Sequence, residues 1–400
     1  MSTHRPVSTA PHLDMEHEIT ELRAEVAYLR ARLAQNPNSD TKDGEWPSEI
    51  TYGQQMRSLT QFAGISKDRE AIGRTSEHHE LPQPTRDQAQ LEADFIRWGY
   101  CLVVDAMTPS QVDRLVERLL DQSEAERTAG VAHVTHEGTT QFVPNLLPKG
   151  QVFRDLAALD EHAAAGAPLL ETLLCKILGN DFYLATAHGS IVHQGGGIQE
   201  LHQDQGFVPL PHPPYPLYSL VIWALSPFSL EAGATYELPG SHRAPDCAHH
   251  VHADIDFVEF AKGKLLALDM PVGSCAILDS RLLHAGGERT APGTRLASRI
   301  LYCRGMMRQQ ENLIACTDPI VDQLSPKLKR LIGYYSHYSL GMIEGNRIDP
   351  AKPKVPIGEL SMSRPEEFEQ DFDFRHTKFA EELAQDDWNV WVDYRGPNEE

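Results

Sequence analysis

Two side chains that can bind a metal lie two positions apart in the stretch ELHQDQGF, residues 200–207. The stretch has the pattern of an extended strand, and on a strand residues i and i+2 project from the same face. His202 and Asp204 could therefore reach one point in space while Gln203 turns away. An isolated His-x-Asp pair is more often the polar side of a half-buried strand. A metal site therefore requires a further ligand from elsewhere in the chain.

A third ligand is available in GSCAILDSRLLHAGG, residues 273–287. Gly273 predicts a turn, an apolar strand follows, and His284 ends it just before a pair of glycines. Two histidines and one carboxylate on one face of a metal leave three positions open, which suits Fe(II) that must bind a chelating cosubstrate and O2 together. Zinc more often has four ligands or one open position. We therefore predict an iron site at His202, Asp204 and His284.

A chelating keto acid also needs a cation for its far carboxylate. An arginine guanidinium can hold a carboxylate through two parallel hydrogen bonds. Arg295 and Arg299 follow His284 on the next predicted strand, and their separation by four places both on one face. Spacing alone does not choose between them. On a neighbouring apolar run, Trp223 could belong to the core or to a pocket wall, and the sequence leaves both interpretations open.

The segments around these residues differ in pattern. Residues 1–35 contain a heptad repeat of apolar residues, which predicts either a short coiled coil that forms a homodimer or a single amphipathic helix. Residues 36–87 have the composition of a polar linker. Residues 88–320 contain the metal-binding motifs, and residues 321–400 form a helical and acidic extension expected to pack on the core.

Residues 88–320 are predicted to be mainly β with flanking helices. Thr108 is a plausible helix N-cap, and helical periodicity before it ends at Gly99. From about 180 to 305 the apolar runs become short and are separated by Gly, Pro and Asp. Short strands with turns between them favour an antiparallel sandwich or jelly roll with helices on its outside.

Composition and charge exclude several classes of protein. The 400 residues contain 36 Lys and Arg against 57 Asp and Glu, a formal charge of -21, which disfavours nucleic acid and anionic membranes as partners. No apolar run has the length of a membrane span, and the polar start has no signal core, so we expect a cytoplasmic protein. The six cysteines include no Cys-x-x-Cys pair, which argues against a zinc knuckle or a disulfide framework.

Residues 90–335 resemble the phytanoyl-CoA dioxygenase (PhyH-like) family of Fe(II)/2-oxoglutarate-dependent oxygenases. The resemblance is carried, in this order along the chain, by FIRWGYCLVVDAMTPSQVDRL, IQELHQDQGF, VIWALSPFSLEAGATYELPGSH and LLHAGGERTAPGTR. It implies a double-stranded β-helix (cupin-like) core that holds iron through His202, Asp204 and His284. It also implies Arg295 as the clamp for the C5 carboxylate of 2-oxoglutarate, with Gln199 and Thr235 as further contacts.

The sequence departs from the family pattern at a few positions. Ala232 replaces the asparagine that usually precedes the Gly-x-Thr turn, and the distal histidine is followed by Ala-Gly-Gly, so Thr235 could carry more of the polar contact. His242, in the family's Pro-Gly-Ser-His turn, is interpreted as turn structure near the site. Because Asp204 is present, halogenation is disfavoured, since the family's halogenating relatives have Gly or Ala there.

The resemblance implies oxidation, most often hydroxylation, of a C–H bond of a small organic substrate, with O2 as cosubstrate and ascorbate as a stimulant. A secondary metabolite is the preferred substrate class, and an acyl-CoA or an amino acid is the alternative. Two other classes remain: a non-catalytic cupin-like metal-binding or assembly protein, and a hydrolase or isomerase that uses the same triad with zinc or manganese.

Overall fold

The computed structural model describes residues 72–135, 138–199, 201–208, 212–243 and 264–342, and the strand pairs at 355–356 and 371–372. The predicted heptad helix and most of the linker and acidic tail lie outside the described residues.

Two β-sheets form the centre of the described chain. Their strands, with one further pair, are β1 Gly73–Arg74, β2 Tyr100–Val103, β3 His133–Thr135, β4 Thr140–Val143, β5 Tyr183–His193, β6 Tyr218–Ala224, β7 Thr235–Glu237, β8 Leu266–Ala267, β9 Cys275–Asp279, β10 His284–Gly286, β11 Thr294–Cys303, β12 Val355–Pro356 and β13 Asp371–Phe372. The large sheet has seven strands in the order β2-β9-β6-β11-β5-β4-β3, and the small sheet has the order β1-β8-β7-β10. The further pair joins β12 to β13.

The chain passes repeatedly between the two sheets. Strands β5, β6, β9 and β11 belong to the large sheet, whereas β7, β8 and β10 belong to the small one. An isolated antiparallel bridge between His202 and His284 adds a further short segment next to β10. This alternation is the connectivity of a jelly roll. One apolar cluster contains residues of both sheets, including Ile222 and Leu278 of the large sheet and Tyr236 and Ala285 of the small one, so it fills the space between them.

Helices cover the other face of the large sheet. Their bounds are α1 Gln88–Trp98, α2 Pro109–Thr128, α3 Gln151–Ala157, α4 Ala167–Leu178, α5 Leu313–Thr317 and α6 Pro326–Ile332. A second apolar cluster joins Leu115 of α2 and Leu174 of α4 to Ile191 of β5 and Ile300 of β11. Because strand residues alternate between faces, β11 contributes Ala297 and Leu301 to the cluster between the sheets and Leu296, Ile300 and Tyr302 to the cluster under the helices.

Local sequence sets the helix ends as expected. The Thr108 side chain accepts a hydrogen bond from the Gln111 amide, and the Gln111 side chain accepts one from the Thr108 amide, which is a capping box. Helix α1 ends at Gly99, whose φ of 85° lies in the left-handed region that favours glycine. The predicted fold class, mainly β with flanking helices and a cupin-like core, is confirmed for the described residues. Within those residues no helix is both long and apolar enough to cross a membrane.

Candidate metal centre

Three side chains from two adjacent segments converge at one end of the small sheet. One ligand atom from each of His202, Asp204 and His284 lies within 4.8 Å of the others. The nearer carboxylate oxygen of Asp204 is 3.7 Å from Nε2 of His202 and 3.6 Å from Nε2 of His284. In the part of the chain that the structure describes, this is the one group of His, Cys, Asp and Glu with such spacing.

Backbone pairing fixes the two histidines relative to each other. The His202 amide donates to the His284 carbonyl at 2.8 Å, and the His284 amide donates to the His202 carbonyl at 2.9 Å. Residues paired in this way present their side chains on the same face. Asp204, two positions after His202, reaches the same point. The sequence spacing therefore works because the segment at residue 202 pairs with β10.

The protonation of His284 suits a metal ligand. Its Nδ1 lies 3.0 Å from the Leu282 carbonyl, and with a proton on Nδ1 that contact leaves Nε2 free to bind a metal. Burial, which outweighs the attraction of Asp204, lowers the pKa of His284 to about 4. The ring is therefore neutral at pH 7, as metal binding requires.

The surroundings of the Asp204 carboxylate favour its ionised form and a bound cation. Burial opposes its ionisation, but attraction to His284 in its protonated form, the hydrogen bond and attraction of His202, and the charge of Arg299 outweigh burial and hold its pKa below the usual range. Its Oδ2 is buried with no hydrogen-bond partner among the described residues. A buried carboxylate oxygen without a partner is costly, and a bound cation would remove that cost. Two imidazoles and one carboxylate with open positions also match the donor set of a non-heme Fe(II) site.

The structure separates the two candidate arginines along the inner face of β11. Arg299 lies opposite Ile222 of β6 and His188 of β5, and its charge acts on Asp204. Arg295 lies four residues earlier on the same face of β11, opposite Val192, and Asp204 is not among the groups that shift its pKa. Asp204 thus interacts electrostatically with Arg299 rather than with Arg295.

Arg295 is buried with part of its guanidinium unused. It is 1% exposed, it lies over the Phe228 ring at 5.4 Å, and its Nη1 donates to the Gly233 carbonyl. Its Nε has no partner in the described chain. Burial and the like charges of Arg299 and Arg289 lower the pKa of Arg295 to about 9, so the group remains a cation at pH 7. A buried guanidinium without a carboxylate suits an anionic ligand.

Thr235 and Gln199, the other two predicted contacts of the cosubstrate, both lie next to Gly286 of β10. Thr235 is fully buried, pairs with Gly286 of β10, and leaves its hydroxyl without a partner among the described residues. The Gln199 amide donates to the Gly286 carbonyl at 3.0 Å. A Cβ at Gly286 would lie 2.7 Å from the Gln199 side-chain oxygen, so glycine at this position lets that side chain approach.

Trp223 and His242 lie away from the three converging side chains. Trp223 is fully buried in the cluster under the helices, so of the two interpretations the structure favours the core. His242 is in the short 3-10 helix Ser241–Arg243, and its Nε2 lies 3.1 Å from the Ile96 carbonyl of α1. This contact agrees with the turn-structure interpretation. The preceding Ser241 accepts a hydrogen bond from the Leu283 amide, next to His284.

Sequence reasoning missed Glu237. It lies directly opposite His284 in the β7–β10 pair and is fully buried, and burial raises its pKa well above the usual range. The signal was present as the alternation Thr235-x-Glu237, which places both side chains on one face.

Sequence reasoning also missed an aromatic pair beside the metal-binding turn. Phe207, three residues after Asp204, is 50% exposed and packs edge-to-face on Tyr218 with ring centroids 5.1 Å apart.

Comparisons with known proteins agree with this donor set. A model of the phytanoyl-CoA dioxygenase (PhyH) family matches residues 95–297, which is 203 of the 400 residues. The chain is 29% identical over 200 residues to the iron/alpha-ketoglutarate-dependent dioxygenase ausO of Aspergillus calidoustus, covering 48% of this chain and 62% of that protein. It is 26% identical over 283 residues to the dioxygenase FrzG of Cladobotryum sp, covering 66% of this chain and 90% of that protein.

Among solved structures, the chain is similar to the non-heme alpha ketoglutarate dependent carbocyclase SnoK from nogalamycin biosynthesis. The identity is 15%, the TM-score is 0.46, and the match covers 60% of this chain and 94% of that one. The chain thus spans less than two thirds of ausO and most of FrzG and SnoK.

Proposed function

This chain belongs to the phytanoyl-CoA dioxygenase family of non-heme iron, 2-oxoglutarate-dependent oxygenases, and we propose that it hydroxylates a C–H bond of a small organic substrate. The observation that carries the proposal is the combination of a His-Asp-His cluster with a buried, carboxylate-free arginine on the same inner surface. A protein that only bound a metal would have no use for that arginine.

Each residue of the centre has a proposed part. His202, Asp204 and His284 hold Fe(II) on one side and leave the opposite side open. When bound, iron with 2-oxoglutarate and O2 supplies the oxidising chemistry, and ascorbate is expected to keep the metal reduced. Arg295 binds the C5 carboxylate, because its guanidinium is charged, buried and only partly used. Thr235 donates its free hydroxyl to the same carboxylate.

Arg299 has a different proposed part. Its charge acts on Asp204, so it stabilises the ionised carboxylate that binds the metal. Gln199, held beside Gly286, orients the cosubstrate from the other side of β10. The surrounding apolar residues keep water from the centre, which strengthens each of these interactions.

The substrate is proposed to be a small organic molecule, with a secondary metabolite as the preferred class. Phe207, which is half-exposed and packs on the buried Tyr218, presents an apolar surface three residues after Asp204, which suits a substrate with an apolar or aromatic body. The formal charge of -21 works against a polyanionic CoA thioester.

Succinate formation without any added substrate tests the proposed chemistry. Fe(II)-loaded wild type should form succinate slowly from 2-oxoglutarate and O2, and should show a metal-to-ligand charge-transfer band when 2-oxoglutarate is added without O2. His202→Ala should lose both signals. His133→Ala, which removes an exposed histidine on β3, is the matched control and should keep both.

Failure of both signals in iron-loaded wild type would contradict the proposal, because 2-oxoglutarate would then not chelate the metal. Full retention of the band in His202→Ala would contradict the ligand assignment. An enzyme that hydrolyses or isomerises its substrate with zinc or manganese should resist N-oxalylglycine, whereas the proposed oxygenase should be inhibited by it.

The heptad segment 1–35 is proposed to join two copies of the chain. The apolar seam at steps of three and four supports this proposal. Deleting residues 1–35 should halve the mass measured in solution by light scattering. An unchanged mass would show that the segment does not hold the copies together.

A further inference from the structure

A cavity of about 550 Å³ lies between helices α1 and α4 and the segment 214–216. Its apolar lining includes Phe95 of α1 and Leu173 and Ile177 of α4. Cavities that bind small ligands typically have volumes of about 300–1,000 Å³ and are mainly apolar with a few polar groups. The volume and the lining of this cavity both fall within that description.

The cavity is on the opposite face of the large sheet from the metal centre. Among its lining residues, Cys101, Phe95 and Leu173 belong to the apolar cluster under the helices. The neighbours of Cys101 on β2, Tyr100 and Leu102, belong instead to the cluster between the two sheets, the side that carries the inward-facing arginines. A ligand in this cavity would therefore not be the 2-oxoglutarate or substrate of the metal centre.

Cationic groups outnumber carboxylates in the lining, although the chain as a whole has a charge of -21. The charged lining residues are Lys176, Arg243, Arg281 and Arg304 against Glu92 and Asp279. Lys176 is paired with Glu92, and Arg281 binds both oxygens of Asp279 at 3.0 and 2.6 Å. Arg243 and Arg304 have no carboxylate partner in the described chain, so the cavity has two uncompensated positive charges.

Arg304 is held in place by its neighbours. Its Nε donates to the Pro216 carbonyl and its Nη2 to the Ile177 carbonyl, both at 2.8 Å, and its guanidinium lies 4.7 Å from the centre of the Tyr215 ring. These contacts leave Nη1 without a protein acceptor among the described residues. A guanidinium held in a fixed position loses little entropy when it binds an anion.

Two large apolar side chains that line the cavity are exposed to solvent, and a bound ligand would cover them. Ile96 is 71% exposed and Tyr215 is 43% exposed, and both line the cavity. Two large apolar side chains next to unpaired cations suit a ligand with an apolar body and one negative charge.

We propose that this cavity binds a small amphipathic anion, such as a carboxylate or sulfonate with an apolar body. Arg243 and Arg304 contact the charged group, and Phe95, Leu173 and Ile177 contact the apolar body. The site is separate from the metal centre and does not depend on the oxygenase chemistry.

The full-length protein can be tested with 1-anilinonaphthalene-8-sulfonate, a fluorescent probe with an apolar body and one sulfonate. We expect saturable binding at one site per chain. Arg243→Gln should weaken it about tenfold, the effect of losing one charge-assisted contact. Arg114→Gln is the matched control, because Arg114 is an exposed arginine on α2 that does not line the cavity. Ile177→Trp should fill the apolar part and abolish binding.

Two further measurements separate this site from others. The uncharged analogue N-phenyl-1-naphthylamine should bind wild type and Arg243→Gln equally. N-oxalylglycine with Fe(II) should not displace the sulfonate probe, and the cavity variants should keep the 2-oxoglutarate charge-transfer band of wild type.

Three outcomes would overturn the proposal: no saturable binding of the sulfonate probe, equal weakening by Arg243→Gln and Arg114→Gln, or displacement of the probe by N-oxalylglycine. Displacement would place the probe at the metal centre. Absence of the charge-transfer band in Fe(II)-loaded wild type would count against the proposed oxygenase chemistry and would leave the cavity proposal intact. Failure of the oxygenase proposal and failure of the cavity proposal are therefore distinguishable.

Discussion

The two faces of β11 are both buried but differ in chemistry. On the face under the helices, Leu296 and Ile300 pack with apolar neighbours, and the Tyr302 hydroxyl donates to the Ala157 carbonyl at 3.0 Å. On the face between the sheets, Arg295 and Arg299 are buried at 1% and 8% exposure, and the Nε of each has no partner in the described chain. One face of β11 is thus mainly apolar, whereas the other carries two buried cations.

Both faces of β11 contain buried polar atoms without partners among the described residues, so the faces differ in buried charge and not in unpaired polar atoms as such. On the helix side, the indole nitrogen of Trp223 and the hydroxyl of its cross-strand neighbour Ser298 also lack described partners. An unpaired neutral group costs about 1–3 kcal/mol, and an unpaired charge costs more. At Arg295, a buried guanidinium without a described carboxylate partner is therefore a cost to stability that a bound anion would offset.

Arg295→Met gives the sharpest test of this difference. We expect the KM for 2-oxoglutarate to rise about 100-fold, since removing one partner of a buried charge pair costs a few kcal/mol. The free energy of unfolding of the metal-free protein should stay the same or rise, because an unpaired buried charge is removed. Succinate assays and urea unfolding measure the two effects. A large loss of stability would mean that Arg295 is structural.

Ile300→Ala makes the complementary change on the helix side. Truncating a fully buried isoleucine should lower the free energy of unfolding by about 3 kcal/mol. The KM for 2-oxoglutarate should remain within about twofold of wild type below the unfolding transition, because Ile300 faces the helices. A selective rise in that KM would show that the two faces of β11 are coupled.

Thr235→Val tests the neutral contact on the inner face. Losing one hydroxyl hydrogen bond to a bound carboxylate should raise the KM for 2-oxoglutarate about tenfold. Thr235→Ser keeps the hydroxyl and is the control that should retain most of the affinity. Equal KM values for the valine and serine variants would remove Thr235 from the site.

His188 allows the smallest effect to be measured through pH. Burial and the nearby charge of Arg299 lower its pKa to about 4 in the folded protein. The unfolded chain, with an ordinary histidine pKa near 6.5, then binds the proton more readily between about pH 6.5 and 4. The free energy of unfolding should therefore fall as pH falls through this range, by at most about 1.4 kcal/mol per pH unit for this group.

His188→Gln should make that pH dependence shallower in urea unfolding of the metal-free protein. His133→Gln, on the exposed end of the sheet, should leave the slope as in wild type. Equal slopes for wild type and His188→Gln would show that His188 does not carry the pH dependence.

Local sequence patterns were sufficient for several features. Gly99 and Thr108 end and begin helices through their own backbone preferences and hydrogen bonds, which act within a few residues. His202 and Asp204 share a face because strand side chains alternate with a period of two. The pattern of residues 273–287, a turn glycine and an apolar strand that ends at a histidine, indicated His284 as the third ligand 80 residues after Asp204, and the family resemblance implied the same residue.

The tertiary structure decided which face of each strand turns inward, which the alternation of side chains along a strand does not specify. A period of two tells which residues share a face but not which face turns inward, so Trp223 could be assigned to the core only once the helices were in place. Arg295 and Arg299 share a face by sequence, and only the pairing of β11 with β5 and β6 brings Arg299 near Asp204. Glu237 opposite His284, and the cavity beside α4, depend on contacts between segments far apart in the chain, which no local pattern encodes.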